Sequence, residues 1–331
     1  MDGPAMKDRF ERELTYLRLS VVDRCNLHCL YCMPAEGAGF DAWGEILSYE
    51  EMHRLVGIFA GLGISKVRIT GGEPLVRRQI EKLVEKIKSV PGIREIAMSS
   101  NGIFLKGMAR GLKGAGLDRV NISLDTLRRD RFIRIARLDR LKEVLEGIDA
   151  ALEAGLAPVK INTVLMKGIN DDEIPDLAAF AVRHSIEIRF IELMPTHEAV
   201  DIDPLQNFFS AQEAREIVER HYPLKPADVY LSSPAQVYEI PGTGARVGFI
   251  SPLSCFFFAR CNRLRMKANG MLKTCLHGKE DLDLKALLRG GASEEAIIQA
   301  IRETVFARPE QHFLNDDKVR HRDFQMSHVG G

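Results

Sequence analysis

The stretch TYLRLSVVDRCNLHCLYCMP, residues 15–34, joins a predicted β-strand to a loop that holds three of the chain's six cysteines. The strand is TYLRLSVV, at 15–22. A helix is predicted to follow at about 49–62, because Ser48 and Glu51 have the spacing of a capping box ahead of an apolar-periodic run. The stretch therefore opens a strand–loop–helix unit with three thiols at its turn.

The strand–helix pattern recurs from residue 15 to about residue 194. Five more strands are predicted at 65–70, 93–100, 118–125, 157–165 and 186–195, and further helical segments at 74–90, 105–115, 140–155 and 171–184. This alternation indicates a parallel sheet with helices outside it. Six units are fewer than the eight of a closed barrel, so we expect an α/β fold, an incomplete, open (β/α)₆ TIM-type barrel with its chemistry at the carboxyl ends of the strands.

The pattern breaks after Pro195. Beyond it we expect one helix among loops, strands near 236–240 and 246–251, and two short helices near 283–289 and 294–306. We therefore divide the chain into an N-terminal extension at 1–14, a partial barrel at 15–194 and a C-terminal domain at 195–331. The C-terminal domain contains the other three cysteines, Cys255, Cys261 and Cys275.

The charge balance and the cysteines limit the possible functions. Lys plus Arg and Asp plus Glu number 46 each, which argues against a general nucleic-acid binder or a membrane-surface protein. No apolar run approaches the ~20 residues that span a bilayer, and the charged N-terminus does not resemble a secretory signal. We expect a cytoplasmic protein whose reduced cysteines are metal ligands or catalytic groups.

Cys25, Cys29 and Cys32 have the spacing Cys-x₃-Cys-x₂-Cys. Three thiolates on one loop can bind three irons of a [4Fe–4S] cube and leave the fourth iron open to a small molecule. The alternative is a structural zinc site, which needs a fourth ligand such as His28 or a distant residue. The spacing alone leaves both possibilities open.

The motif CNLHCLYC resembles the signature of radical S-adenosylmethionine (SAM) enzymes, and GGEP at 71–74 resembles their second motif. The resemblance implies that SAM binds the open iron and is cleaved to a 5′-deoxyadenosyl radical, which abstracts a hydrogen atom. Gly71 and Gly72 have no side chain and would let the backbone approach such a ligand closely.

The resemblance extends over almost the whole chain. YLRLSVVDRCNLHCLYCMP, KVRITGGEPLVRR, NISLD, RFIELMP, CNRLRMKANGMLKTCL and a terminal GG are together similar to the GTP 3′,8-cyclase family. That family implies conversion of GTP to (8S)-3′,8-cyclo-7,8-dihydroguanosine 5′-triphosphate, the first step of molybdenum-cofactor biosynthesis, with two [4Fe–4S] clusters and SAM. It also implies a reductant protein such as flavodoxin or ferredoxin, a downstream pterin synthase as partner, and a monomer or homodimer.

The family pattern assigns roles to individual positions. The SAM-binding positions are Tyr31, Gly72, Ser123 and Met194; the GTP-binding positions are Arg18, Arg68, Ser99, Lys160, Arg189, Arg263 and Arg265; and Gly330 and Gly331 form a tail that enters the active site. A buried triphosphate needs cationic partners, and arginine suits phosphate geometry. The cationic positions are expected at strand ends or next to motifs, and Arg263 and Arg265 are spaced to share one strand face.

The second cluster motif departs from the family pattern Cys-x₂-Cys-x₁₃-Cys. Cys261 and Cys275 keep the x₁₃ spacing, but Phe258 stands where the first cysteine is expected. Cys255 is a candidate third ligand in its place. The alternatives are a second cluster that is incomplete, labile or held otherwise, and a paralogue whose second site binds something else.

Three functions therefore stand beside one another. The first is the GTP 3′,8-cyclase reaction, which the motifs in both halves favour. The second is a radical SAM enzyme or paralogue of different specificity with an auxiliary cluster. Phe258, at the position of an expected cysteine ligand, favours this second function. The third is a zinc-binding protein without catalysis.

Overall fold

The protein was analysed as a computed structural model, in which the described residues are 6–35, 37, 39–195, 201–228, 233–254, 260–276, 278 and 281–310. Its strands are β1 Met6–Lys7, β2 Glu13–Leu14, β3 Tyr16–Ser20, β4 Lys66–Thr70, β5 Glu95–Ser100, β6 Arg119–Ser123, β7 Lys160–Leu165, β8 Glu187–Glu192, β9 Lys225–Pro226, β10 Ala235–Glu239, β11 Arg246–Ile250, β12 Arg263–Met266, β13 Met271–Lys273 and β14 Leu282–Asp283. Its helices are α1 Tyr49–Gly61, α2 Ile80–Lys88, α3 Leu105–Gly114, α4 Arg129–Ala136, α5 Leu141–Glu153, α6 Ile174–His184, α7 Ala211–Glu219, α8 Leu284–Arg289 and α9 Glu294–Phe306.

Strands β3 to β8 lie side by side in chain order, and each pairs with the next in parallel. The six predicted strands and their parallel arrangement are thus confirmed. The sheet does not close on itself, so the expected incomplete TIM-type barrel is also confirmed.

The strands after residue 195 continue this sheet at both of its edges. β11 pairs in parallel with β8, and β12 pairs in parallel with β3. β10 and β9 extend one side and β13 and β14 the other, all antiparallel, to give a sheet of twelve strands. The two parts of the chain on either side of residue 195 therefore share one sheet.

Alternation along each central strand separates an apolar outer face from a polar interior. In β3, Leu17 and Leu19 are fully buried in the hydrophobic core, whereas Arg18 between them lines the interior cavity. In β4, Val67 and Ile69 belong to the core and Arg68 lines the cavity. Because side chains alternate with period two, each strand contributes both to the core and to a polar interior.

Helix α1 begins where the sequence predicts it. The Ser48 hydroxyl accepts from the Glu51 amide at 3.1 Å, and the Glu51 carboxylate accepts from the Ser48 amide at 2.7 Å, which completes the capping box. The buried face of the helix includes Met52, Leu55 and Phe59. Burial of such side chains contributes about 1.5–3 kcal/mol each, so packing on the sheet stabilises the helix more than its cap does.

One helical prediction was wrong in its bounds, and one helix was missed. The segment predicted as one helix at 74–90 forms a single 3₁₀ turn, Pro74–Val76, and then α2. The break comes from Gln79, which has a φ of 58°, and from Arg77, whose guanidinium donates to the carbonyls of Val21 at 2.5 Å and Leu47 at 2.7 Å. Helix α4 was missed because only Phe132, Ile135 and Ala136 are buried along its eight residues.

No helix in the described ranges is both long and apolar enough to cross a membrane.

Candidate active site

The barrel encloses a cavity of about 1020 Å³. Its wall contains every described residue to which the sequence assigned a role in metal, SAM or GTP binding: Arg18, Cys25, Cys29, Tyr31, Cys32, Arg68, Gly72, Ser99, Ser123, Lys160, Arg189, Met194, Cys261, Arg263, Arg265 and Cys275. The positions that the sequence grouped by motif are therefore brought together in space. Cys255, Phe258, Gly330 and Gly331 lie outside the described residues.

The two groups of cysteines lie at opposite ends of this cavity. The loop with Cys25, Cys29 and Cys32 follows the carboxyl end of β3. Cys261 precedes β12, which is parallel to β3, and Cys275 follows β13, which is antiparallel to β12. Both therefore lie near the amino ends of the barrel strands, and a five-residue strand, roughly 16 Å long, separates the two groups.

The three-cysteine loop is held as a compact turn. The Cys29 carbonyl accepts from the amides of Cys32 at 2.8 Å and Met33 at 3.0 Å. Nη1 of Arg137 donates to the carbonyls of His28 at 2.8 Å and Met33 at 2.9 Å, so one guanidinium bridges the turn from its far side. Arg137 was not predicted; it lies just after α4, the helix that the sequence analysis also missed.

Burial controls the chemistry of the three thiols. Burial, aided by the Glu73 carboxylate, raises the pKa of Cys25 to about 12, and burial beside Cys25 and Asp125 raises that of Cys32 to about 12. Metal binding at this loop is thus coupled to proton release. Among the described residues, no three His, Cys, Asp or Glu side chains converge on a single metal ion.

The glycines of the GGEP turn are explained by contact with the protein itself. A Cβ on Gly71 would lie 2.4 Å from the Val22 carbonyl oxygen, and one on Gly72 would lie 2.2 Å from the Arg24 carbonyl oxygen. The Gly72 amide donates to Val22 O at 2.8 Å, and the Glu73 amide donates to Arg24 O at 2.8 Å. The two amides therefore tie the GGEP turn to residues 22–24, just before the three-cysteine loop. An ammonium group, which only donates, would bind this turn through carbonyl oxygens.

Glu73 joins the ends of neighbouring strands. Its buried carboxylate accepts from the Leu75 amide at 3.0 Å, the Ser100 hydroxyl at 2.9 Å and the Asn101 amide at 2.6 Å. Burial raises the pKa of Glu73 to about 7. Asn101 in turn donates to Asn26 Oδ1 at 2.6 Å, within the cysteine loop. The GGEP turn and β5 thus position the loop.

Tyr31 is oriented by Asp125, a residue that the sequence analysis did not single out. The Tyr31 hydroxyl donates to Asp125 Oδ2 at 2.8 Å, and Asp125 Oδ1 accepts from the Val164 amide at 2.8 Å. Burial raises the pKa of Asp125 to about 6. Asp125 comes two residues after Ser123 in the motif NISLD, so its position beside a predicted SAM residue was the signal available.

A row of arginines crosses three adjacent strands. Arg265, Arg18 and Arg68 are direct neighbours in the register of β12, β3 and β4. Nε and Nη2 of Arg18 are buried and have no hydrogen-bond partner in the described part of the chain. Burial, together with the charges of Arg265, Arg68 and Arg263, lowers the pKa of Arg18 well below its usual value. No carboxylate in the described ranges pairs with Arg18, so this wall carries positive charge there.

The opposite wall holds cations that acidic residues do compensate. Glu187 accepts from Lys160 Nζ at 2.7 Å and Arg189 Nε at 2.5 Å. Burial, followed by the charge of Arg189, lowers the pKa of Lys160 to about 8. Glu95 pairs in the same way with Lys66 at 3.0 Å and Arg119 at 2.5 Å. Among the cavity cations of the described residues, Arg18 of β3 is thus the one whose Nε and Nη2 are buried without a hydrogen-bond partner.

Tyr16 lies among these cations. Its hydroxyl accepts from Arg68 Nε, while Arg68 Nη1 donates to the Ser99 hydroxyl at 3.2 Å. Burial favours the neutral phenol, but the charges of Arg68, Arg18 and Lys66 outweigh it and lower the pKa of Tyr16 to about 7. Tyr16, Glu95 and Glu187 were missed, although the period-two alternation of polar and apolar residues in each strand could have revealed them.

The cationic positions were expected at strand ends or next to motifs. Lys160 and Arg263 are the first residues of β7 and β12, whereas Arg18, Arg68, Arg189 and Arg265, beside the motifs, are each the third residue of a strand. Because these four alternate with core residues, they point from mid-strand into the interior. The cysteine loop, the GGEP turn, Ser123 and Met194 lie at the carboxyl ends.

Comparison with known proteins agrees with this geometry. The family model "Radical SAM superfamily" matches residues 19–181, and "Molybdenum Cofactor Synthesis C" matches residues 186–314. The chain is 44% identical over 327 residues to a GTP 3′,8-cyclase of Moorella thermoacetica, covering 98% of this chain and 100% of that one. It is 44% identical over 328 residues to a GTP 3′,8-cyclase of Thermodesulfovibrio yellowstonii, with the same coverage.

Among solved structures, the chain is similar to Streptococcus suis SuiB bound to S-adenosylmethionine, with a TM-score of 0.64 and 15% identity, covering 94% of this chain and 76% of that one. At this identity the likeness concerns the fold alone. The full-length relatives and the two family models carry the assignment: the chain belongs to the GTP 3′,8-cyclase family of the radical SAM superfamily.

Proposed function

We propose that this protein converts GTP into (8S)-3′,8-cyclo-7,8-dihydroguanosine 5′-triphosphate, the first step of molybdenum-cofactor biosynthesis. The observation that carries the proposal is one cavity with a half-buried three-thiol loop at one end and, in its wall, Arg18 without a carboxylate partner among the described residues. Relatives that match the whole chain and are named GTP 3′,8-cyclase support it.

The radical SAM family has a [4Fe–4S] cluster and SAM. When bound, these groups supply a 5′-deoxyadenosyl radical that abstracts a hydrogen atom from the substrate. Cys25, Cys29 and Cys32 would hold the cluster, and three half-buried thiols on one loop that faces the cavity fit it. Tyr31, Gly72, Ser123 and Met194 would surround SAM, since they line the cavity at the same end of the strands.

The cationic residues would bind the triphosphate. Arginine donates to phosphate oxygens through a planar fork, and such charge-assisted bonds are strong where water is excluded. Arg18, Arg68, Arg263 and Arg265, with Ser99 next to Arg68, would provide this contact on one wall, and Lys160 and Arg189 on the other side. The partly enclosed interior also keeps water away from reactive species.

We further propose a second [4Fe–4S] cluster at the amino end of the barrel. Cys261 and Cys275 line the cavity there, and Cys261 accepts a hydrogen bond from a buried arginine, as suits a thiolate. Cys255 would be the third ligand in place of Phe258. The proposal includes the tail Gly330–Gly331 as part of the active site, a cytoplasmic location, a flavodoxin or ferredoxin as reductant, a downstream pterin synthase, and a monomer or homodimer.

The second candidate is a radical SAM enzyme with another substrate, which Phe258 at the usual ligand position favours. Anaerobic turnover with SAM, a strong reductant and GTP, followed by mass spectrometry, distinguishes the two. We expect equimolar loss of GTP and formation of 5′-deoxyadenosine and the cyclised product. Cleavage of SAM without consumption of GTP would contradict the cyclase and favour the second candidate.

A further inference from the structure

Arg308 lies directly against one of the two described cysteines at the amino end of the barrel. Its Nη2 donates to Cys261 Sγ at 3.0 Å, and its Nη1 donates to the Cys261 carbonyl at 2.9 Å. The residue is only 3% exposed. A buried guanidinium therefore holds both the sulfur and the backbone of Cys261, across 47 positions of sequence.

The guanidinium is itself held by a carboxylate from the start of the chain. Asp8, 2% exposed, lies 3.7 Å from Arg308 Nη1 and also pairs with Arg12 at 2.6 Å. Arg12 donates to the carbonyls of Pro309 and Glu310, each at 2.7 Å. The β1–β2 hairpin thus binds the segment that carries Arg308 by two separate contacts.

This arrangement is more than is needed to pack a surface hairpin. Burying an arginine and an aspartate is costly unless both are paired, and one of the two Arg308 bonds is directed at a sulfur, a weak acceptor when neutral. A thiolate bound to iron carries negative charge and accepts far better. The donor set therefore suits an ionised Cys261, as a thiolate bound to iron would be, rather than a neutral thiol.

We propose that Arg308 is a positioning residue for the second iron–sulfur cluster, which sets its reduction potential through the hydrogen bond to Cys261, with Asp8 as a counter-charge that moderates the effect. This inference rests on the second cluster of the proposed function. Hydrogen bonds to cluster sulfurs and nearby positive charge favour the reduced, more negative state, and so raise the potential. The N-terminal hairpin thereby becomes part of the cluster environment.

The test is an anaerobic redox titration of the reconstituted full chain, followed by electron paramagnetic resonance. The second cluster gives the signal that is still present in Cys29→Ala and is lost in Cys261→Ser. In Arg308→Gln we expect the reduced state to be about tenfold less favoured, a shift of about 59 mV to more negative potential for one electron. Arg308→Lys keeps the charge but not the fork, and should shift less. Arg302→Gln, the same change at an exposed position of α9, should not shift the potential.

Asp8→Asn separates electrostatics from structure. It keeps the donor and removes a negative charge, so it should shift the potential in the positive direction. If Arg308 and Asp8 had a purely structural role, the reduction potential would shift in the same direction in Arg308→Gln and Asp8→Asn, or in neither. That result would overturn the inference even if the protein still bound eight irons. If Arg308→Gln does not fold, Arg308→Lys and Asp8→Asn serve as the test, because the inference requires their shifts in reduction potential to have opposite signs.

Iron analysis distinguishes this failure from failure of the proposed function. About eight irons per wild-type chain are expected for two cubes. About four irons per wild-type chain, with none lost in Cys261→Ser, would refute both the second cluster and this inference. The turnover experiment with GTP tests the cyclase reaction separately.

Discussion

Replacement of Arg18 by methionine should weaken GTP binding and stabilise the protein at the same time. Arg18 is buried between Arg265 and Arg68, and its Nε and Nη2 have no partner in the described part of the chain. A triphosphate would accept from both groups. Methionine has similar length and flexibility, so it removes the charge without leaving a large cavity.

The two effects can be estimated from these contacts. Two charge-assisted hydrogen bonds at about 1.5 kcal/mol each amount to about 3 kcal/mol, or about a 100-fold higher Kd for GTP. Relief of the unsatisfied buried donors should stabilise the GTP-free protein by about 2 kcal/mol. With an unfolding entropy of about 2.1 cal/mol/K per residue, a chain of 331 residues gains about 3 °C in Tm for that amount.

Calorimetric titration of the oxidised, reconstituted protein with GTP gives the Kd without turnover, and a thermal melt without GTP gives the Tm. Arg302→Met is the matched control at an exposed position and should change neither quantity appreciably. A Kd of Arg18→Met for GTP within about threefold of wild type, or a lower Tm, would refute the role of Arg18 as an unpaired cation that binds the triphosphate.

Three further predictions concern other parts of the site. Cys29→Ala should lower the iron content by about four per chain and abolish 5′-deoxyadenosine formation; normal formation would refute the role of the three-cysteine loop. Because the pKa of Tyr16 is lowered to about 7, its phenolate forms above that pH and should repel GTP. The Kd of the wild type for GTP should therefore rise between about pH 6 and about pH 8 by more than the Kd of Tyr16→Phe. Parallel pH profiles of the two proteins would contradict this role. Gly72→Ala places a Cβ 2.2 Å from Arg24 O and should displace the cysteine loop and reduce iron binding, whereas Gly57→Ala, with open space around it, should not; equal iron contents would show that the loop adapts.

The sequence predicted those features of the site that are local. The capping box at Ser48, the three-cysteine loop and the GGEP turn each depend on a few adjacent residues, and the repeated strand–helix pattern was enough to predict the parallel sheet. The helix at 74–90 was predicted too long because Arg77 bonds to carbonyls of residues distant in sequence, which no local pattern records.

The features that were missed arise from contacts between residues far apart in the sequence. Glu187 compensates Lys160 from 27 positions away, and Arg308 reaches Cys261 from 47. Charged residues at alternate strand positions are compatible with an exposed face as well as with a polar interior. The pairing register places Arg265, Arg18 and Arg68 side by side on one face, and the curvature of the sheet makes that face the interior.

The pairing of β12 with β3 has a consequence for synthesis of the protein. Arg263 pairs with Tyr16, so the partners are 247 positions apart, 263 minus 16. At about 5–20 residues per second, the edge of β3 waits roughly 12–50 s on the ribosome before its neighbour has been translated. During that interval an unpaired parallel edge is open to wrong pairing, so a nascent chain of this kind should depend on chaperones, and slower translation should lower its yield of folded protein.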